Sequence, residues 1–297
     1  MTAGAPGPPG FVEPPRSAVS DAVARALAED LLPLGDLTAA LIPPGTHATA
    51  AVAAREGGVV AGRACVVETY AQVDGDVTLD WLIPDGCPFE RGATLAVVTG
   101  PLAPILTGER TALNFLRHLS GVASLTRRFV DIADAASGGA TRILDTRKTT
   151  PGLRALEKAA VRAGGGANHR ANLSDAVMVK DNHLAGMSIT AAVDAARRMW
   201  PGRPVHVECD TLEQLDEILA ARADRAMLDN FSPDDVCVAV QRCRGRVEVE
   251  VTGGVSLDTV AAYAAARPDF VSVGALTHSA GVIDLGLDLN LDLGPAT

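Results

Sequence analysis

The chain has 297 residues, 47% of them apolar, a mean hydropathy of +0.18 and a formal net charge of -10. That is enough apolar matter for one large or two smaller cored domains, and the acidic balance excludes nucleic acid or an anionic membrane as the main partner. The five cysteines (Cys65, Cys87, Cys209, Cys237, Cys243) are odd in number and form no CxxC pair, which argues against a disulfide framework or a zinc centre and for reduced thiols in a cytoplasm.

Residues 1–16, MTAGAPGPPGFVEPPR, lack the apolar stretch of a signal peptide, and their Pro and Gly content predicts a disordered tail. No apolar run in the sequence is long enough to span a bilayer. Residues 17–32 place apolar side chains at helical spacing behind Ser17 and Ser20, either of which can cap a helix. From 46 to 98, short β-like runs (ATAAVAAR, GVVAG, VTLDWLI, TLAVVTG) separated by Gly, Pro and Asp predict a small sheet-bearing domain. Residues 107–136 have the i, i+3, i+4 pattern of helix and predict two helices breaking near Gly121.

After residue 140 strand and helix alternate, the mark of a parallel α/β unit. The expected strands are 142–145, 176–180, 204–208, 225–229, 246–251 and 269–273, with helices at 151–163, 188–199, 211–222, 232–242 and 256–267. Ser232 in SPDD and Ser256 in SLDT are the expected N-caps of the last two helices.

Polar residues gather where these strands stop, in LDTRK, MVKDNH, VECD, LDN, EVEVTGG and VSVGALTHS. In a (β/α) barrel the C-terminal strand ends converge on one mouth, which would collect Arg147, Lys148, Lys180, Asp181, Glu208, Asp229, Glu250 and Thr252. The chain's only three lysines, Lys148, Lys158 and Lys180, all fall in this region. Cations come from the first strands, with His169 and Arg170; carboxylates come from the middle ones; Gly253, Gly254 and Gly274 come last, where barrel loops commonly hold a phosphate. Arg154, Lys158 and Arg162 either join this set or form the solvated face of a helix, and Glu250 is either a ligand or a buried partner of a cation. A site rich in cations, with two or three acids and a phosphate cradle, suits a multiply anionic substrate with hydroxyls and a bound Mg²⁺.

The stretches ERTALNFLRHLSG (109–121), DTRKTTPGLRALEKAAVRAGGGANHR (145–170), VKDNH (179–183), VEVEVTGGVS (247–256) and VGALTHS (273–279) resemble those of the quinolinate phosphoribosyltransferase family. The resemblance implies an α/β fold: an N-terminal α/β sandwich domain and an incomplete (β/α) barrel of the type II phosphoribosyltransferase kind. The expected division is a tail over 1–16, the sandwich over 17–125, the barrel over 126–284 and a C-terminal tail over 285–297 that can pack back on the first domain. The implied reaction joins quinolinate and phosphoribosyl pyrophosphate, with Mg²⁺, to give nicotinate mononucleotide, pyrophosphate and CO₂ in NAD synthesis. Carried over by motif, Arg147, His169 and Arg170 hold the quinolinate carboxylates, and Arg110 reaches the same pocket from the other subunit of a homodimer. Lys148 and Lys180 lie between the two substrates, Glu208 and Asp229 face the ribose hydroxyls and the metal, and Thr252, Gly253, Gly254, Gly274 and His278 surround the 5′-phosphate. The family has Ser-Gly-Gly where this chain has Thr252-Gly253-Gly254, a change that keeps the hydroxyl and adds a methyl.

Three other readings compete on the residues alone: a barrel aldolase with Lys148 or Lys180 as Schiff-base nucleophile, a sister transferase acting on nicotinate, and a non-catalytic anion-binding homologue. Two lysines in a phosphate-rich ring do not require the first. Four cationic groups overprovide for the single carboxylate of nicotinate, and Glu208 and Asp229 are both present against the third.

Overall fold

The computed structural model describes residues 12–184 and 186–291. In chain order the first half contains α1 (Arg16–Leu31), β1 (His47–Ala54), β2 (Gly58–Val59), α2 (Arg63–Val73), β3 (Thr78–Trp81), β4 (Pro88–Phe89), β5 (Thr94–Pro101) and α3 (Leu102–Ser137). Next come β6 (Arg142–Leu144), α4 (Arg154–Ala163), β7 (Val177–Val179), α5 (Asp181–Leu184), α6 (Ile189–Met199), β8 (Val205–Cys209), α7 (Leu212–Ala221) and β9 (Arg225–Asp229). The remainder is α8 (Pro233–Cys243), β10 (Glu248–Thr252), α9 (Val260–Ala265), β11 (Phe270–Ser272), α10 (Ala275–His278) and β12 (Leu285–Leu291). Two compact units result, the first taking the chain to Leu125, Thr150–Gly165 and the segment from Ser279, the second Thr126–Thr149 and Gly166–His278.

The first unit is built on an antiparallel sheet in the order β12-β1-β5-β3. Alternate residues of β1, together with Leu95 and Val98 of β5, pack in one cluster with Tyr70 of α2 and Ile105 and Leu116 of α3, so helices cover one face of the sheet. Within this unit α4 is tied to α3 by Glu157. Its carboxylate is fully buried, lies 2.8 Å from His118 Nε2 and accepts from the Thr150 N–H at 3.0 Å.

The second unit is a six-stranded sheet, every pair parallel, in the order β6-β11-β10-β9-β8-β7. Its edges, β6 and β7, do not pair with each other among the described residues, so the barrel is incomplete. All six strands point the same way, which brings their C-terminal ends to one edge.

Several local expectations are corrected. The helix expected behind Ser17 or Ser20 begins at Arg16 with Pro15 at the N-cap, where the proline ring supplies the entry angle and no side chain caps. The segment RACVVETYAQV, left among β-like runs, is α2; its buried positions Cys65, Val66, Thr69 and Tyr70 repeat at helical spacing, and that periodicity outweighs the β-branched residues. The break expected near Gly121 is absent, and α3 runs unbroken for 36 residues. Gly121 serves a close approach instead, because a Cβ there would collide with the Gly281 carbonyl. Ser232 caps α8 as expected, accepting from the Asp235 N–H at 3.2 Å. Ser256 does not cap α9: residues 256–259 form a hydrogen-bonded turn, and the helix proper begins at Val260 behind Thr259. Of the tail expected over 1–16, residues 1–11 lie outside the described residues, as do 292–297 of the C-terminal tail. Residues 285–291 form β12 on the edge of the first unit's sheet.

Candidate active site

The parallel register of the second unit puts Arg147 and Lys148 after β6, Lys180 after β7, Glu208 near the end of β8, Asp229 at the end of β9 and Thr252 at the end of β10 on a common edge. Gly274 follows β11. Lys180 Nζ donates to Glu208 Oε2 at 2.5 Å, so two neighbouring strand ends meet as an ion pair. The Lys180 N–H donates to His183 Nδ1 at 3.1 Å, which assigns His183 to bracing the loop.

The loop of residues 166–170 is set from below. Asp145, fully buried just beyond β6, accepts from Asn168 Nδ2 at 2.6 Å and from the His169 N–H at 2.9 Å. The His169 ring turns inward: Nδ1 accepts from the Arg170 N–H at 2.7 Å, and Nε2 lies 3.2 Å from Glu250 Oε2. His169 thereby positions the backbone of Arg170, a role that its assignment to a substrate carboxylate did not include. The Arg170 guanidinium donates to the Ala176 carbonyl at 3.0 Å and contacts Met178 Sδ at 3.3 Å. Its pKa is lowered first by burial and then by the nearby Arg147 cation. Two guanidiniums that repel each other at one place fit a ligand with more than one negative charge there.

Glu250 proves to be the buried partner and not a mouth ligand. It is fully buried and accepts from Arg225 Nη1 at 2.8 Å and from Ser272 Oγ. Burial alone would raise its pKa, but the His169, Ser272 and Arg225 contacts outweigh that and hold it below the usual range. Arg225 also donates through Nε and Nη2 to Glu248 Oε2, at 3.0 and 2.8 Å, and its guanidinium lies 4.0 Å over the Phe270 ring. His206, edge-on to His169 with ring centroids 5.4 Å apart, is held neutral, its pKa pushed down to about 4 first by burial and then by the Arg225 cation.

The glycines after β10 and β11 make close approaches. Gly253, at φ +88°, has Asp229 Oδ1 only 2.7 Å from where a Cβ would stand, with Asn230 Oδ1 nearer still. At Gly274 a Cβ would meet Lys148 Cδ at 3.1 Å and His278 Nε2 at 3.2 Å, so Lys148, Gly274 and His278 form one cluster. Thr277 Oγ1 closes it by donating to the Lys148 carbonyl at 2.8 Å. Gly254, at φ +59°, stands exposed beside Gly253.

Arg110 lies exposed on α3 in the first unit. Lys158 is not on the solvated face of its helix: it is 3% exposed, in the run of buried residues from Leu156 to Val161. Asp145, Asn168, Arg225 and Ser272 are the site's supporting residues that sequence reasoning missed. The polar Asp in LDTRK and Asn in GGGANHR were visible as signals, whereas the partners of Arg225 and Ser272 depend on sheet order.

Glu208 and Asp229 are the carboxylates at the mouth, and no cluster of three or more metal-ligating side chains occurs among the described residues. With Glu208 already engaged by Lys180, such a set fits a Mg²⁺ carried largely by substrate phosphates and not an all-protein cage.

A cation-rich mouth on a parallel barrel, with glycines closing its last two loops, defines a protein that handles multiply anionic, phosphorylated small molecules. Residues 36–120 match the quinolinate phosphoribosyl transferase N-terminal domain and residues 122–288 its C-terminal domain, so the chain belongs to that family. It is 44% identical over 280 residues to a nicotinate-nucleotide pyrophosphorylase [carboxylating] of Mycobacterium leprae, covering 92% of this chain and 97% of that one. A probable enzyme of the same name from Bacillus subtilis is 40% identical over 260 residues, covering 86% and 89%. Among solved structures, the nicotinate-nucleotide pyrophosphorylase of Francisella tularensis superposes with a TM-score of 0.90 at 38% identity, covering 94% of this chain and 99% of that one. No helix among the described residues is long and apolar enough to cross a membrane.

Proposed function

We propose that the chain transfers the phosphoribosyl group of phosphoribosyl pyrophosphate to quinolinate with loss of CO₂, forming nicotinate mononucleotide for NAD synthesis. The observation that carries this reading is the pairing of Arg147 and Arg170, with Arg170 oriented by a carbonyl and a thioether that leave its charge available to a dicarboxylate. A dicarboxylate can address both guanidiniums, whereas a monocarboxylate such as nicotinate offers one group for the two.

In the reaction the ribose C1–O bond breaks and its electron pair leaves with pyrophosphate, while the pyridine nitrogen bonds to C1. Positioning is the main requirement, since ring nitrogen, C1 and leaving oxygen must lie in line. Lys148 and Lys180 face charge that grows on the leaving group, a task for a mobile ammonium. The ring nitrogen is then cationic, so the adjacent carboxylate departs as CO₂, its bonding electrons stay on the ring carbon, and that carbon takes a proton from water. Gly253, Gly254, Gly274, Thr252 and His278 cradle the 5′-phosphate, and Glu208 and Asp229 hold the ribose hydroxyls and the metal. A bound Mg²⁺ would neutralise pyrophosphate charge as the bond breaks. Arg110 completes the quinolinate pocket of the other subunit in a homodimer, and the enzyme works in the cytoplasm. A Schiff-base role for Lys180 is disfavoured by its ion pair with Glu208, since a paired ammonium has no lone pair to offer.

The test follows release of CO₂ from quinolinate labelled in the carboxyl group next to the ring nitrogen, and release of pyrophosphate with quinolinate and with nicotinate as separate acceptors. Turnover with quinolinate alone is expected. Equal turnover of nicotinate overturns the substrate assignment.

A further inference from the structure

The face of the second unit opposite the mouth carries a cavity of about 1050 Å³ at the N-terminal ends of β9, β10 and β11. Four exposed arginines line it: Arg222, Arg244, Arg246 and Arg267. None of the four makes an ion pair among the described residues. Of the acids in the same wall, only Glu248 is ion-paired, with Arg225, so four guanidiniums face two carboxylates. Glu248 accepts from Arg225, while Asp224 and Asp269 each accept a backbone N–H, from Val205 and Val249, at 2.7 and 2.8 Å. In a chain of net charge -10, an excess of guanidinium over carboxylate around one cavity is the exception to the overall balance.

The backbone adds a second observation. Arg222 at the end of α7 and Arg267 just past α9 adopt left-handed conformations, at φ 55° and 59°. Helix ends of this kind favour glycine, which the chain uses at the equivalent end of α8, where Gly245 has φ 71°. Arginine at the other two positions accepts local strain and in both cases delivers a guanidinium to the same cavity. Cations at helix C-termini also offset the helix dipole, which is the competing explanation.

We propose that this cavity binds an oligophosphate, such as the phosphate chain of a nucleoside triphosphate, at a site separate from the mouth. Arginine matches phosphate oxygens in pairs, and the volume suits a nucleotide-sized ligand. Asp224 and Asp269, each with accepting capacity beyond its one backbone bond, suit the hydroxyls of an attached sugar.

The test uses isothermal titration calorimetry with inorganic tripolyphosphate and with ATP on the Lys148→Ala/Lys180→Ala protein, which weakens anion binding at the mouth. One remaining site per chain is expected. Arg222→Gly/Arg267→Gly and Arg244→Ala/Arg246→Ala should each weaken it by at least ~10-fold, the loss of a charge-assisted hydrogen bond. The glycine pair is chosen because glycine is at ease at both backbone positions, so its Tm should be unchanged or raised. Tighter binding of ATP than of tripolyphosphate identifies a nucleotide as the ligand, and the reverse identifies a bare oligophosphate. Absence of binding by either probe, or unchanged affinity in the glycine pair with a lowered Tm, overturns the proposal and leaves the arginines as helix caps.

Discussion

Glu250 joins the interior of the barrel to the mouth, and removing its carboxylate should register in both. Glu250→Ala would leave His169 and Ser272 without their shared acceptor and Arg225 with Glu248 alone. Breaking one side of a buried ion pair costs about 3–5 kcal/mol, and the remaining Glu248 contact places the expectation near the lower limit, about 3 kcal/mol. For a domain of this size that corresponds to a fall in Tm of about 6–12 °C. Glu250→Gln, which keeps the shape and one accepting oxygen, should lose less. The folded carboxyl has its pKa held below 4.5, so its stabilisation is complete above that value and is lost as pH falls through the lower folded pKa. The stability gap between wild type and Glu250→Gln should therefore narrow on acidification below about pH 4. Because His169 accepts the Arg170 N–H, the alanine variant should also raise the KM for quinolinate more than that for phosphoribosyl pyrophosphate. Calorimetric melting and steady-state kinetics with each substrate varied are the measurements. An unchanged Tm with both KM values intact would refute the account of the network.

Burial raises the Asp85 pKa to about 7 from 3.8, so the cost of its charge is absent below 3.8 and grows as pH rises towards 7. Asp85→Asn should flatten Tm over that window and gain at most about 4 kcal/mol at neutral pH; a parallel decline in the variant would reject this. Lys148→Ala and Arg170→Ala should each reduce turnover by about 10²–10³, and for Lys148, exposed at the mouth, with no change in melting. Normal activity in either would sink the site assignment. Gly121→Ala should destabilise by about 1–3 kcal/mol, since its Cβ meets the Gly281 carbonyl; an unaltered melting curve would show that the backbone yields there at no cost.

The sequence announced the barrel because buried parallel strands are continuous apolar runs with polar ends, and such a pattern needs no knowledge of distant contacts. Arg225–Asp229 was expected to the residue, and the other strands within one or two. Elements decided by tertiary contact were misread. A helix rich in valine looks like a strand until its burial is known, and Gly121 looks like a break until Gly281 is seen against it. At the site, Arg147, Lys148, Arg170 and Lys180 stood out by type and place. Glu250 could not be resolved from sequence, because its partners come from β9, β11 and the loop after α4, whose adjacency is a matter of sheet order.

Partner sets then separate functional cations from structural ones of the same residue type. Arg225 is spent inside the fold: two carboxylates and the Phe270 ring satisfy it. Arg170 is as firmly oriented, yet its contacts are a carbonyl oxygen and a sulfur, which fix direction without cancelling charge. Partial burial strips water from it and strengthens the field it presents. Lys180 is intermediate, because Glu208 holds it but its ammonium has three donors and can share itself with an arriving phosphate. The division suits the proposed chemistry. Quinolinate brings carboxylates fixed on a rigid ring, which rigid guanidiniums can match in advance, whereas pyrophosphate gains charge while it leaves and is better followed by an ammonium on a flexible stem. A site designed only to bind would have no reason to hold one kind of cation fixed and leave the other free to move.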